Sequence, residues 1–483
     1  MRKDQKSDAL TTSTSTKINI SKKRLVLALL TLAQFMVIVD FMIVQVAMPS
    51  IGKEFGVSII ILQWTVTAYG LTLAGFLMLS GRIGDIYGHK KLFIIGVMVF
   101  SLASLTGGLA PSDAILVISR AAQGLGAAMS SAAGLSILVA IFSEGKERNN
   151  ALSIFAAVTG LGSASGMILG GAITATLGWR WVFEINVPIG IALSLLSIRH
   201  ISITTGRASG NKHLDILGAI SITAGLMLLV YSLSIIQNNG IGSPEALGLI
   251  LLSVIALSVF LFIEYRSKLP LMPLGFLMRG SIFGANALAL LQMGAFVAMT
   301  FILTNYFQQE RGYSALSTGI AFLPMSIVFL VTSGFLSARL VNRFSVKPIL
   351  ILGMILQTIG YLLLSSISIT QNYFEGLLEP MLLIGFGTGF GFTAINIAGL
   401  QGTKKGEEGL ASGLINTSRQ IGGPIGLALL LTVANLTIPH PTDQLTQSIT
   451  AMVKGFGHAF LTAAILTGIG VGFAASLKQK KRP

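Results

Sequence analysis

The sequence predicts an all-α integral membrane protein in which fourteen transmembrane helices form two six-helix bundles plus two inserted helices. Three observations predict this fold class. Of the 483 residues, 53% are hydrophobic and only 11% are charged, whereas soluble proteins carry about 25% charged residues. Apolar runs of roughly 20 residues, long enough to cross the ~30 Å hydrocarbon layer, recur along the whole chain. A polar loop motif also occurs twice, at matched positions in the two halves.

The helix positions follow from the apolar runs. The first six helices are predicted at about 25–48, 58–79, 92–110, 114–139, 150–174 and 182–198. An additional pair falls at about 214–235 and 246–265, and the last six at about 281–307, 316–338, 347–367, 376–400, 411–435 and 456–476. The predicted domains are a cytoplasmic tail at 1–24, a bundle at 25–198, a linker with two additional helices at 199–280, a second bundle at 281–476 and a tail at 477–483.

The basic residues are distributed unevenly across these helices. On this topology, 27 of the 33 Lys and Arg residues lie on the side of the two termini, and four lie opposite. Since cytoplasmic loops of membrane proteins carry an excess of Lys and Arg, both termini are predicted to be cytoplasmic. The net charge of +15 is therefore assigned to contact with anionic lipid, and nucleic acid is not expected as a partner.

The composition also narrows the chemistry. Cysteine is absent, which excludes disulfides, thiolate catalysis and iron–sulfur clusters. The five histidines show no metal-ligand spacing, so no metal is expected. The glycine-rich stretch from Gly385 to Gly391 lacks the Gly-Lys-Ser/Thr of a phosphate-binding loop and is predicted to serve helix packing instead. We expect neither an enzyme nor a cofactor.

The repeated loop motif lies between the second and third helix of each half. In the first half it contains Gly81, Asp85, Gly88, Lys90 and Lys91. In the second half, Asn342 aligns with Asp85, and Lys347 aligns with Lys90. Matched loops of this kind indicate an internal repeat, as is common in transporters.

With this topology and motif, the chain resembles the major facilitator superfamily, and within it the fourteen-helix drug:proton antiporters of the EmrB/QacA type. The similarity runs nearly end to end, through Asp40, Gln45 and Pro49 in helix one, Trp64 and Tyr69 in helix two, Arg120 and Gln123 in helix four, and Asn416 and Arg419 in helix thirteen. The antiporter signature of helix five is matched by Gly162, Gly166, Gly170 and Gly171. Met167 stands where the family has proline.

The resemblance implies export of small amphiphilic or cationic molecules across the cell membrane, as in multidrug efflux. It implies alternating access driven by the proton motive force, with a small-molecule substrate, protons and the lipid bilayer as partners, and function as a monomer. A dedicated exporter of one metabolite, siderophore or lipid-like compound is an open alternative. A proton-coupled uptake symporter, favoured slightly by Met167, is another, and a non-transporting sensor is disfavoured.

Asp40 is the first candidate for proton coupling. A carboxylate deep in a membrane helix costs about 2.5 to 3.5 kcal/mol and normally marks a pathway or relay. Helical rise places Arg120 at a similar depth, so the two are expected to influence each other's charge. The alternative is a permanent pair that only fixes helix packing. Glu184 is a weaker candidate, because it can equally cap the start of helix six.

The remaining candidates concern the conformational cycle and the cavity. In the resembled family, the loop formed by Gly81, Asp85, Gly88, Lys90 and Lys91 latches the two halves, and Asp85 is expected to pair with Arg82 and Lys90. The four glycines of helix five are expected at close helix contacts. The possible cavity-lining residues are Gln45, Trp64, Tyr69, Gln123, Asn416 and Arg419. For Arg419, contact with backbone carbonyls is favoured over substrate binding.

Overall fold

The computed structural model describes residues 20–142, 146–201, 215–240, 242–267, 270, 272, 274–401, 403, 407–436 and 445–477. All regular elements in these ranges are helical. Most of the predicted N-terminal tail, the polar stretch 202–213 and residues 478–483 lie outside the described residues. Residues 20–24, which the sequence assigned to the tail, are helical instead.

The chain order begins with α1 (Ile20–Phe55), α2 (Ile59–Tyr87), α3 (His89–Gly108), α4 (Asp113–Ile141), α5 (Lys146–Thr176), α6 (Trp181–Glu184) and α7 (Asn186–His200). The inserted pair is α8 (Ile216–Asn239) and α9 (Pro244–Arg266), followed by the short α10 (Leu274–Leu277). The second half contains α11 (Gly280–Asn305), α12 (Ala315–Val331), α13 (Ser337–Phe344), α14 (Val346–Leu364), α15 (Leu378–Leu400), α16 (Glu408–Leu436) and α17 (Leu445–Ser476). Three π-helical turns, Tyr306–Glu310, Thr332–Leu336 and Tyr373–Leu377, flank or interrupt these helices.

Among the described residues, twelve helical segments are long and apolar enough to cross a membrane. Helices α5 and α16 contain 31 and 29 residues and so also have membrane-spanning length. Among the described residues of α5, the apolar segment is the shorter Ser165–Thr176. The all-helical membrane architecture is confirmed, while the count of fourteen spans stays a prediction.

Glycines bring α5 close to α1 in the first bundle. A Cβ at Gly162 would lie 3.0 Å from a side chain of α1, one at Gly166 would lie 2.7 Å from Met42 Cβ, and one at Gly170 would lie 2.8 Å from the Ile43 carbonyl oxygen. Real Cβ atoms essentially never lie within 3.0 Å of such neighbours, so larger residues at Gly166 and Gly170 would force these helices apart. The helix-five signature therefore acts through small side chains at a helix interface.

The two bundles meet at the end of the molecule that lies away from the chain termini. There, a Cβ at Gly171 of α5 would lie 2.5 Å from the Ala315 carbonyl oxygen, and one at Gly319 of α12 would lie 2.6 Å from the Met167 carbonyl oxygen. Helix α5 contains no proline and continues without a break through Met167. This end of the molecule is closed.

A second inter-bundle contact joins α1 to α11 near the same end. The hydroxyl of Thr300 donates a hydrogen bond of 2.6 Å to Gln45 Oε1. Farther along, Gln308 Nε2 donates to the Val46 carbonyl at 2.8 Å. Gln45 is buried in this contact, so it belongs to the closed end.

Helix α8 of the inserted pair lies against both bundles, and α9 packs on α8. Gln63 Nε2 of α2 donates to the Ser234 hydroxyl of α8 at 2.7 Å, and the Thr432 hydroxyl of α16 donates to the Leu233 carbonyl at 3.3 Å. Trp64 packs edge-on against Tyr231 of α8, with ring centroids 6.0 Å apart. Trp64 therefore faces the inserted pair and is not a residue of the cavity described below.

Candidate functional site

A buried ion pair forms the centre of the first bundle. Asp40 of α1 accepts a hydrogen bond at Oδ2 from Arg120 Nη1 of α4. Both side chains are 0% exposed. Helical rise alone placed these residues at one depth, and the tertiary packing of α1 against α4 brings them into direct contact.

Side-chain amides complete the coordination of the Asp40 carboxylate. Its Oδ1 accepts from Asn186 Nδ2 at 2.8 Å and from Gln123 Nε2 at 3.1 Å. Both amides also donate to the Ser104 hydroxyl, at 3.1 and 3.0 Å. The carboxylate thus accepts three hydrogen bonds, which offset the free-energy cost of burying its charge. The network joins α1, α3, α4 and α7.

Arg120 is held by α2 as well. Its Nε donates to the Thr65 carbonyl at 2.9 Å, and its Nη1 donates to Gln123 Oε1 at 2.9 Å. The ring of Tyr69 lies 4.3 Å from the guanidinium carbon, a cation–π arrangement. Nη2 of Arg120 has no hydrogen-bond partner among the described residues, so its two N–H donors have no acceptor there although the side chain is buried.

A cavity of about 600 Å³ opens between the bundles on the side of the termini. Its walls come from α1, α2, α4, α5 and α16, and its polar lining includes Gln34, Arg82, Asp85, Asp215 and Asn416. Because the opposite end is closed, the molecule is in a conformation that is open on one side only.

The ion pair lies deeper than the cavity on each helix that contributes to both. On α1, Gln34 lines the cavity, and Asp40 lies six residues, or about 9 Å, farther from the open end. Tyr69 donates its hydroxyl to the carbonyl of Val37, midway between the two. Tyr69 therefore covers the network on the side that faces the cavity, and Asp40 has no exposure to it in this conformation.

The structure distributes the predicted cavity residues over several places. Only Asn416 lines the cavity. Gln123 and Tyr69 belong to the Asp40 network, while Gln45 and Trp64 contact other helices. In this conformation these four side chains contact other helices, because sequence order does not tell which face of a helix meets the opposite bundle.

Among the described residues, the ion pairs of Asp85 in the predicted latch loop lie within its own bundle. Asp85 Oδ1 lies 3.1 Å from His89 Nε2 and its Oδ2 lies 4.0 Å from Arg82 Nη1. Lys90, an expected partner of Asp85, instead donates to the Ile198 carbonyl at 2.8 Å. The remaining residues of the motif are Gly81, Gly88, with φ of 98°, and exposed Lys91. Gly88 makes the turn between α2 and α3, where a side chain would be strained.

Glu184 does not join the ion-pair network. It ends the short helix α6, and no hydrogen bond links it to Asp40 or Arg120 in the described part of the chain. The residue two positions later, Asn186, does reach Asp40. Sequence reasoning missed Asn186 and Ser104 as site residues. The amide of Asn186 in a membrane helix was a usable signal.

Arg419 of α16 is the second buried arginine, with 6% exposure. Its Nη2 donates to the Phe392 carbonyl at 2.9 Å, and its Nη1 donates to Asn396 Oδ1 at 3.3 Å. The Phe392 ring lies 4.0 Å from the guanidinium carbon. The contact with a backbone carbonyl agrees with the structural role that the sequence favoured.

Comparison with known proteins adds the family context of this geometry. The sequence model of the Major Facilitator Superfamily matches residues 30–427. The cephamycin export protein CmcT of Amycolatopsis lactamdurans is 35% identical, with 96% of each chain covered. The puromycin resistance protein pur8 of Streptomyces alboniger is 35% identical over 91% of this chain and 87% of its own. The multidrug transporter protein MdtP of Bacillus subtilis is 30% identical over 86% and 76%.

Solved structures with a similar fold include a bacterial homologue of the human lysosomal transporter Spinster in an inward-facing, occupied conformation. It superposes with a TM-score of 0.68 at 14% identity, over 95% of this chain and 98% of its own. A peptide transporter in complex with sulfate gives a TM-score of 0.65 at 14% identity, over 94% and 96%. At these identities the likeness concerns the fold alone.

Proposed function

The chain belongs to the Major Facilitator Superfamily, and from this we propose that it is a proton-coupled exporter of small amphiphilic or cationic molecules. Its family and fold are those of transporters rather than enzymes. Relatives whose names record cephamycin export, puromycin resistance and multidrug transport support efflux. The observation that carries proton coupling is the fully enclosed Asp40–Arg120 pair.

The proposed coupling rests on the energetics of that pair. Removing the charge of Asp40 by protonation would leave Arg120 buried without its counter-charge, and an uncompensated buried charge costs several kcal/mol. Such a state is stabilised only if the bundle rearranges to hydrate or re-pair Arg120. Protonation and conformational change are then linked, since each alters the free energy of the other.

The present conformation supplies one end of the proposed cycle. The cavity takes up substrate on the side of the termini, which we propose to be the cytoplasm, while Asp40 stays enclosed and in contact with Arg120. When the closed end opens, protons reach the network from the opposite side, and substrate leaves. We propose that the transporter works as a monomer, because each chain contains both bundles and the cavity between them.

We place the chain in the fourteen-helix drug:proton antiporter subfamily. Support comes from the inserted pair α8 and α9, which lies between the bundles in sequence, and from α5 and α16, which have spanning length. The glycine face of α5 is also retained at the contacts with α1 and α12. Antiport in this subfamily predicts that protons move inward as substrate moves outward.

Transport by purified protein in liposomes tests the proposed function. With an acidic lumen and an alkaline exterior, we expect at least one of puromycin, lincomycin and a cephamycin to accumulate, and a protonophore to abolish the accumulation. Protein-free liposomes under the same gradient are the control, because weak bases enter acidic vesicles passively. Accumulation only when the lumen is alkaline would identify a symporter instead. No accumulation under either gradient would refute proton-coupled transport of these compounds.

Replacement of Asp85 by Asn should slow transport without destabilising the fold. Asp85 is 49% exposed, and its ion pairs among the described residues are with Arg82 and His89 of its own bundle. Exposed ion pairs contribute about 0–1 kcal/mol. If the loop latches the bundles in the opposite conformation, Asp85→Asn favours the present one. We expect an unchanged thermal unfolding midpoint and a transport rate reduced about tenfold. Equal transport rates in the variant and the wild type would exclude the latch.

A further inference from the structure

The charges inside the two bundles are not balanced alike. In the first bundle, Arg120 is neutralised by Asp40. In the second, no carboxylate of the described residues lies within 4 Å of Arg419. Arg419 is nine-tenths buried, and a charge buried in a membrane helix normally faces the protein interior or a pathway and has a partner. The missing counter-charge requires an explanation.

The hydrogen bonds of Arg419 leave part of the guanidinium unused. Phe392 and Asn396 supply one oxygen each, and the Phe392 face covers one side of the planar group. Nε has no hydrogen-bond partner within the part of the chain that the structure describes. An arginine offers five N–H donors in a fork that fits the two oxygens of a carboxylate. These neutral contacts therefore position the guanidinium, but they leave N–H donors without acceptors and the positive charge without a counter-charge.

Arg419 also lies next to the substrate cavity. Asn416, which lines the cavity, is three residues earlier on α16, so both side chains lie on one face of the helix about 4.5 Å apart in height. Helix α16 starts at the open end, at Glu408. Arg419 therefore lies about one turn deeper than Asn416, which is the innermost lining residue of α16.

We propose that Arg419 is the binding site for an anionic group of the transported molecule, with a carboxylate as the matching chemistry. This inference rests on the proposed export function and narrows its substrates to amphiphiles that carry an anionic group. The apolar part of the ligand occupies the cavity, and its carboxylate accepts hydrogen bonds from the Arg419 guanidinium beside Asn416. The ligand then provides the counter-charge that Asp40 provides for Arg120.

Fluorescence titration of the purified protein in neutral detergent tests this assignment. The probes are dansylglycine and dansylglycinamide, which differ only in a carboxylate against a carboxamide. Hydrogen bonds to charged groups favour the carboxylate by roughly tenfold to a hundredfold in Kd. We expect this preference in the wild type, its loss in Arg419→Gln with dansylglycinamide binding unchanged, and partial recovery in Arg419→Lys. Lys347→Gln, which removes a cation from a separate groove, should keep the full preference.

Several results would overturn the proposal. Equal Kd values for the two probes in the wild type would do so, as would a carboxylate preference that persists in Arg419→Gln or no dansylglycine binding at all. Displacement of dansylglycine by phosphatidylglycerol but not by phosphatidylcholine would assign the site to a lipid anion and refute a substrate site. The titration needs no pH gradient. A negative liposome experiment therefore contradicts proton-coupled export, whereas a negative titration contradicts the anion site at Arg419.

Discussion

Replacing Arg120 with Met should destabilise the folded protein by about 3–5 kcal/mol, because it strands the Asp40 carboxylate in a dry interior. Asp40→Asn strands Arg120 in the same way. The double variant Asp40→Asn/Arg120→Met removes both charges, so its stability should return to within about 1–2 kcal/mol of the wild type. Thermal unfolding in detergent, monitored by circular dichroism, measures the stability of each of the three variants relative to the wild type.

The same double variant separates coupling from helix packing. If Asp40 is titrated in each cycle, the double variant folds but loses gradient-driven accumulation in liposomes. If the pair only fixes the packing of α1 against α4, accumulation recovers together with stability, and the coupling role of Asp40 is refuted. Asp113→Asn is the matched control, since it removes a carboxylate from the first turn of α4, away from the network.

Replacing Gly319 with Val should shift the molecule out of the conformation described above. A Cβ at this position would lie 2.6 Å from the Met167 carbonyl oxygen and 3.3 Å from Ile168 Cα, both backbone atoms of α5 that cannot move alone. Overpacking of this kind costs about 1–3 kcal/mol. A free-energy change of that size in one conformation alters the population ratio roughly 5- to 150-fold. The open cavity should therefore become the less populated state.

A single reporter cysteine measures this shift. The chain contains no cysteine, so Asn416→Cys places one thiol in the cavity lining. We expect its alkylation by a polar maleimide to slow at least about fivefold when Gly319→Val is added. The control is Gly334→Val, because a Cβ at Gly334 meets nothing within 4 Å. An unchanged alkylation rate in folded Gly319→Val would mean that the contact between α5 and α12 does not separate during the cycle.

The membrane architecture and the Asp40–Arg120 contact illustrate how far sequence reasoning reaches. Long apolar runs predict spanning helices because the bilayer requires both length and hydrophobicity. The depth of a charged residue follows from the helical rise, which placed Asp40 and Arg120 level with each other. The termini of the helices were less accurate. Helix α17, for example, begins at Leu445, and its prediction began near residue 456.

The direction in which each side chain points around its helix axis could not be predicted in the same way. Membrane helices here show apolar side chains on all faces, since lipid and protein interior are equally apolar, so no polar stripe marks the buried side. Gln45 and Trp64 were therefore assigned to the cavity, whereas the fold directs Gln45 to Thr300 and Trp64 to Tyr231. For the same reason, Asn186 was not recognised as a hydrogen-bond donor to Asp40.

The sequence by itself determined that the chain is helical, that it lies in a membrane, and that charges are buried in its helices, because these follow from composition and from distance along one helix. The tertiary structure alone decided which charges are paired. Arg120 meets a carboxylate from α1, whereas Arg419 meets a carbonyl and an amide from α15. Pairing depends on the approach of helices that are distant in sequence, and the energy of a buried charge depends on that pairing.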